Sequence, residues 1–236
     1  VALKRPHHPM RTIEEVISRI TNAKYFTTLD AKQGFWQIPL DEQSSYLTTF
    51  STPFGRYRFQ VLPFGLNSSP EVYQRAMEQI FAGYPCEIIM DDILIWGSTE
   101  TEHDANLTKI LDRAREVNLK LNVQKCKFKV TEVNYIGHTL TREGLKPDPE
   151  KISAIISMPP PEDLTALQRF LGMVNYLSKF ISNLSSLAAP LRELMHKNCE
   201  WSWEYYHQQA FDNIKKSISN PPVLKYYDVY GSCIVQ

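Results

Sequence analysis

No stretch of this chain is apolar for long enough to span a bilayer, and its first residues lack the basic, apolar and small-residue succession of a signal peptide. Helical membrane proteins and secreted proteins are therefore not expected classes. The four cysteines, Cys86, Cys126, Cys199 and Cys233, form no C-x-x-C pair. That argues against a disulfide frame or a cysteine zinc site, and they read as reduced, partly buried thiols of an intracellular protein. Net charge is lacking too, because 26 Lys and Arg balance 26 Asp and Glu. An overall basic footprint is absent, although cations cluster locally. Lys4, Arg5, His7, His8 and Arg11 gather at the start, and Lys120, Lys125, Lys127 and Lys129 in the middle. Such runs fit a basic track beside an acidic site, and they equally fit solvated surface.

What is present is ordinary globular material, 43% hydrophobic and 22% charged, long enough at 236 residues for one large or two small domains. The chain opens on Val1, which gives the expectation of a piece of a longer polypeptide. One local feature stands out. Asp91 and Asp92 interrupt the apolar run Ile88-Ile89-Met90-Asp91-Asp92-Ile93-Leu94-Ile95-Trp96. The flanks read as two short buried strands with the acids at the turn between them. Two-residue hairpins favour Asn-Gly or Asp-Gly, so Asp-Asp is a poor turn choice. Adjacent carboxylates also raise each other's pKa unless a cation offsets them. Both a divalent-metal site and a merely acidic, solvated turn fit the pair. A third acid, Asp30, ends another β-type run, Lys24-Tyr25-Phe26-Thr27-Thr28-Leu29. Three carboxylates at neighbouring strand ends suit Mg²⁺ and two-metal phosphoryl transfer.

Around these acids, Leu29-Asp30-Ala31-Lys32-Gln33-Gly34-Phe35-Trp36-Gln37-Ile38, then Leu62-Pro63-Phe64-Gly65-Leu66-Asn67-Ser68-Ser69-Pro70, then Ile89-Met90-Asp91-Asp92 follow in order. These blocks closely resemble motifs A, B and C of reverse transcriptases, in the flavour of gypsy-type LTR retrotransposons. The resemblance continues through Leu119–Cys126, Tyr135–His138 and Leu167–Tyr176. It implies an α+β fold: a right-hand polymerase palm, a β-sheet backed by helices, with partial fingers, a helical thumb and the start of an RNase H-like domain. The implied boundaries are 1–24 for fingers, 25–140 for palm, 141–220 for thumb and 221–236 for the RNase H-like start. The implied activity is RNA-directed DNA synthesis, moving a nucleotide from a dNTP to a primer 3′-hydroxyl on an RNA or DNA template. An inactive remnant that only binds nucleic acid is the alternative. An RNA-dependent RNA polymerase shares the palm and paired acids, but Phe35 and the Leu-Pro-Phe-Gly block argue against it.

By the same resemblance, Asp30, Asp91 and Asp92 are catalytic, and with Ala31 they hold two Mg²⁺ ions, with Mn²⁺ also acceptable. Phe35, five residues after Asp30, is the expected sugar gate, with Gly34, Phe64, Gly65 and Lys125 around the nucleotide. Phe64 stands where retroviral enzymes carry glutamine. Met90, Tyr135, Ile136, Gly137 and His138 are expected at the primer. The implied partners are template–primer, dNTP and the remaining polyprotein products (RNase H, integrase and protease), with dimerisation considered and no membrane. The family's triphosphate-clamping lysine and arginine are not matched by Lys4, Arg5 or Arg11, so weak nucleotide binding is expected. Cys233-Ile234-Val235 looks like an opening RNase H strand without its first acid, so no RNase H activity is expected.

Periodicity supplies the elements. Thr12-Ile13-Glu14-Glu15 predicts a capping box opening a helix to about Ile20. Phe54–Val61 alternates like a strand. Ser69 and Pro70 read as N-cap and first turn of a helix through Tyr73, Met77, Ile80 and Phe81. Leu107, Ile110, Leu111, Ala114 and Val117 mark another helix. Pro159-Pro160-Pro161 marks a boundary. Helices over Leu164–Leu177 and around Phe211, Ile214 and Ile218 follow, closed by Pro221-Pro222.

Overall fold

The computed structural model describes residues 8–20, 22–196 and 199–226. The chain divides into two compact units, one reaching to Ile136 and the other spanning Gly137–Lys225. In the first, α1 (Ile13–Arg19) opens with the expected capping box. The Thr12 hydroxyl accepts the Glu15 N–H, and the Glu15 carboxylate accepts the Thr12 N–H. Two first-turn donors are thereby satisfied. Arg11 and Arg19 donate to the buried Glu87 carboxylate, and His8 pairs with Glu78 at 2.9 Å. The described members of the basic cluster at the start, His8 and Arg11, are thus tied to acids and not arrayed as a free basic track.

The rest of this unit runs β1 (Tyr25–Asp30), α2 (Glu42–Leu47), β2 (Phe50–Thr52), β3 (Gly55–Tyr57), α3 (Ser69–Ile80), β4 (Glu87–Ile89), β5 (Asp92–Gly97), α4 (Glu100–Glu116), β6 (Lys127–Val130) and β7 (Glu132–Tyr135). A four-stranded sheet has the order β4-β5-β1-β6, with antiparallel neighbours throughout. Ile93, Leu94 and Ile95 are all fully buried. Both faces of the central strand are therefore covered, and its sequence is unbroken apolar instead of alternating. On one face, Leu29, Ile93 and Ile95 pack with Tyr73 and Met77 of α3 and Ile110 and Ala114 of α4.

Three local readings are corrected. The strand expected over Phe54–Val61 is only Gly55–Tyr57, paired with β2 in a hairpin whose residues are nearly all exposed. No core face was there to extend it. The six-residue α2, capped by Asp41, lies in a stretch the periodicity left unassigned. The N-cap of α3 is Ser68, not Ser69. Ser69 is already helical, and its hydroxyl donates to the Pro63 carbonyl at 2.7 Å. Lys129 of the central basic run is neutralised by Glu100 and Asp104 at 2.8 and 2.6 Å.

The second unit comprises the hairpin β8 (His138–Thr141) and β9 (Gly144–Pro147), then α5 (Pro149–Ser157), α6 (Leu164–Tyr176), α7 (Leu184–Glu193) and α8 (Tyr205–Ser219). Pro159-Pro160-Pro161 separates α5 from α6 inside this unit. Its core joins Leu167, Phe170 and Val174 of α6 with Leu191 of α7 and Phe211, Ile214 and Ile218 of α8, and the Phe170 and Phe211 rings lie 4.5 Å apart. After Pro221-Pro222, Leu224 exchanges both backbone hydrogen bonds with Leu145. Cys233-Ile234-Val235, Lys4, Arg5 and His7 lie outside the described residues. Among the described cysteines, Cys86 and Cys126 are half-buried and Cys199 is exposed, the last against expectation. No described helix is long and apolar enough to cross a membrane.

Candidate active site

The β1–β5 register places Asp30 directly opposite Asp92. Ile89 pairs with Asp92 across β4 and β5, so the two turn residues are Met90 and Asp91. The expectation that both acids sit in the turn is corrected: Asp92 is the first residue of β5. The poor turn chemistry of this segment takes a definite form. Met90 has φ +55°, a left-handed conformation that costs a non-glycine residue about 1–2 kcal/mol. Three hydrogen bonds hold the turn there. The Met90 N–H donates to Gln74 Oε1 at 2.7 Å, and Gln74 Nε2 donates to the Ile88 carbonyl at 2.8 Å. The Ala31 N–H, just past Asp30, donates to the Asp91 carbonyl at 2.9 Å. The strand ends carrying the acids are therefore joined through backbone as well as through the sheet.

Burial is the main reason that the Asp91 carboxyl is pushed above the ordinary range. The Tyr73 hydroxyl and Lys125 pull it back, and Asp30 pushes it further up. Asp92 is raised by burial first, then by Asp30 and Asp91, with Lys125 opposing. Lys125 Nζ lies 3.4 Å from Asp30 Oδ2. Its side chain is 66% exposed, so the pair contributes little to stability. As they stand, no three described His, Cys, Asp or Glu side chains close around one point as a complete metal shell. The donor set still fits Mg²⁺, which in polymerases takes one or two carboxylates and completes its octahedron with phosphate and water. Carboxylates that burial and mutual repulsion make costly to ionise are what such a cation relieves.

Beside the acids, a 3-10 helix, Gly34–Gln37, follows Gln33, which is left-handed at φ +52°. A Cβ on Gly34 would lie 2.3 Å from the Tyr73 hydroxyl and 2.4 Å from Asp91 Oδ1, so only glycine fits. Phe35 is 8% exposed. Its ring meets Phe64 at 4.8 Å and Tyr73 at 5.0 Å, both edge-on. Phe64 is itself exposed and also meets Trp36, while Gly65 turns at φ +86°. The expected nucleotide residues Gly34, Phe35, Phe64 and Gly65 are thus contiguous through the Phe35–Phe64 contact, and Lys125 lies against Asp30.

The expected primer residues divide. Met90 is at the hairpin tip with the acids. Tyr135 is 1% exposed, with its hydroxyl 3.5 Å from the Glu87 carbonyl. In the second unit, the His138 ring is buried between Tyr176 and Phe180. Neither ring presents itself to a ligand. Ile136 and Gly137 are consecutive left-handed residues at φ +48° and +65°, the backbone of a two-residue turn.

Sequence reasoning passed over three residues that build this site. Gln74 fixes the hairpin turn. Gln37 accepts the Lys120 N–H and donates to the carbonyls of Lys32 and Lys120, tying the Asp30 loop to the segment before Lys125. Tyr73 backs both Phe35 and Asp91. The available signal was a polar group, Gln74, on the otherwise apolar face that carries Tyr73 and Met77.

Comparison with solved structures places the architecture. The foamy viral protease-reverse transcriptase dRH in complex with double-stranded DNA matches with a TM-score of 0.89 over 96% of this chain and 40% of that one, at 23% identity. The foamy viral enzyme in complex with an RNA/DNA hybrid matches at 0.82 over 92% and 30%, also at 23% identity. The fold is therefore an α+β polymerase palm. The family description "Reverse transcriptase (RNA-dependent DNA polymerase)" matches residues 3–140, and the chain belongs to that family. Among curated relatives, it is 39% identical to the retrovirus-related Pol polyprotein from transposon 412 of Drosophila melanogaster, over 93% of this chain and 18% of the relative. It is 32% identical to the transposon Tf2-3 polyprotein of Schizosaccharomyces pombe (strain 972 / ATCC 24843), over 94% and 17%. The chain spans about a fifth of the length of such relatives. The retrotransposon resemblance carried by the motifs is borne out.

Proposed function

We propose that this chain is the polymerase core of a retrotransposon reverse transcriptase, adding a deoxynucleotide to a primer 3′-hydroxyl on an RNA or DNA template. The observation that carries the reading is the convergence of Asp30, Asp91 and Asp92 on one sheet end through the Asp30–Asp92 register and the Ala31–Asp91 bond. Asp30 and Asp91 would hold the ions, with the Ala31 backbone beside them and Asp92 in support. Divalent ions held there, two Mg²⁺ in this reading, would supply Lewis acidity toward the attacking hydroxyl and the leaving oxygens. The chain's own part is placement and charge. Lys125, beside Asp30, would give a proton to departing pyrophosphate. Phe35 would exclude a ribose 2′-hydroxyl, while Gly34, Phe64 and Gly65 border the sugar and base. Met90 would pack against the primer end through its flexible thioether. The buried rings of Tyr135 and His138 leave the backbone turn at Ile136 and Gly137 as the part able to hold a primer. The second unit would serve as a thumb.

Partners in this reading are template–primer, dNTP and the other products of a longer polyprotein, within retroelement particles. The test is extension of a DNA primer on an RNA template with Mg²⁺ and, separately, Mn²⁺. Removing one metal-holding carboxylate forfeits several kcal/mol of transition-state stabilisation, so Asp91→Asn is expected to slow extension by at least about a hundredfold. Equal extension by wild type and Asp91→Asn would defeat the assignment. Substrate binding without extension by the wild type would favour a remnant that only binds nucleic acid.

A further inference from the structure

Tyr73 lies on α3, fully buried, on what the periodicity marks as a plain core face. Packing accounts for its ring, which meets Phe35 edge-on at 5.0 Å. It does not account for the hydroxyl. That oxygen and Asp91 Oδ1 are both buried, and neither has a hydrogen-bond partner among the described residues. Both crowd the Cα of Gly34, within 2.3 and 2.4 Å of where a Cβ would stand. The hydroxyl and the carboxylate oxygen border the same space at Gly34 without meeting hydrogen-bond geometry. A phenylalanine would fill the same core without burying an unsatisfied donor, which is a costly thing to bury. The absent side chain at Gly34 leaves free the space that both oxygens border.

We propose, building on the metal-site reading, that the Tyr73 hydroxyl is a positioning group for Asp91, donating to its carboxylate once a divalent cation draws that carboxylate into place. Hydrogen bonds at catalytic groups are often loose before the site is loaded and tighten afterwards. Groups that orient a metal-binding carboxylate typically govern affinity by 10–100-fold. Tyr73 suits the task because its ring is clamped by Phe35 and its Cα by the helix, so the hydroxyl can move little. The carboxylate does the turning. One residue thus backs the sugar-facing ring with its own ring and the catalytic acid with its hydroxyl.

The test is Tyr73→Phe, which keeps the ring contact. Mn²⁺ would be titrated into the full chain and followed by electron paramagnetic resonance, with a thermal melt alongside. The expected result is Mn²⁺ affinity lowered by about tenfold or more with Tm unchanged or raised, and no further loss when Tyr73→Phe is added to Asp91→Asn. Equal Mn²⁺ affinity in Tyr73→Phe and wild type overturns the role of Tyr73 alone. A loss of affinity that comes with a lowered Tm, or that persists undiminished in the Asp91→Asn background, also overturns it. A wild type that binds no Mn²⁺ overturns the metal site and this inference together.

Discussion

Asp92 stands exposed at the head of a strand, directly opposite Asp30, where desolvation by the surrounding chain and the like charges of Asp30 and Asp91 all disfavour its ionised form. Its carboxyl is therefore raised above the ordinary 3.8, and the sign of the consequence is fixed. A folded-state pKa above the unfolded one means that stability is fully present below 3.8 and is lost as pH rises through the folded value. In metal-free protein, Asp92→Asn removes that loss. The variant should melt higher than wild type at pH 7, with the gap closing as pH falls toward the ordinary carboxylate value. A gap that widened on acidification would contradict a raised Asp92. Phe35 makes a second case. It is an almost fully buried ring that meets the exposed Phe64, and in the proposed function it borders the nucleotide sugar. Phe35→Ala should cost about 3 kcal/mol of stability, at the low end for a buried ring because one edge is open. It should also raise ribonucleotide incorporation during extension. Unchanged sugar selectivity in a destabilised variant would leave Phe35 as core alone.

The turn of the β4–β5 hairpin is held by a side chain of α3. Gln74 gives both ends of its amide to that turn, and Met90 stays left-handed under its hold. Gln74→Leu would leave the Met90 N–H and the Ile88 carbonyl unpaired, at about 1–3 kcal/mol each. The expected outcome is a lower Tm with slower extension, while far-ultraviolet circular dichroism still reports an intact α3. Extension at wild-type rate would mean that the turn keeps its shape without Gln74. Elements with their own local signal were readable from the chain: the capping box of α1, the apolar run of β5, the periodic faces of α4, α6 and α8. The missed ones lacked it. Helix α2 has six residues, and α7 carries Pro190 in its interior. Helix α5 ends just ahead of the proline run and buries only Ile155 fully. The shift of the α3 cap from Ser69 to Ser68 is a tertiary effect, since Pro63 lies outside the helix and claims the Ser69 hydroxyl.

At the scale of the molecule, the neutral net charge goes with pairing of several described cations to acids and not with a free basic track. Arg11, Arg19 and Lys129 are held by acids, whereas Lys125 stands on the carboxylate cluster. The three acids were legible as types and as motifs. Their geometry was not, because sheet register brings Asp30 to Asp92 and no short sequence window records a register. The buried rings of Tyr135 and His138 were likewise invisible to a motif that names residues without saying which way they point. In the proposed function, strand ends distant in sequence make one metal site. Fe²⁺ with ascorbate and peroxide, used in place of Mg²⁺, cuts backbone next to wherever the ion binds. Two cuts are expected, one near Asp30 and one near Met90–Asp92, both suppressed by excess Mg²⁺ and both lost in Asp91→Asn. Cuts at only one of these places, cuts elsewhere, or cuts that survive Asp91→Asn would contradict that single site.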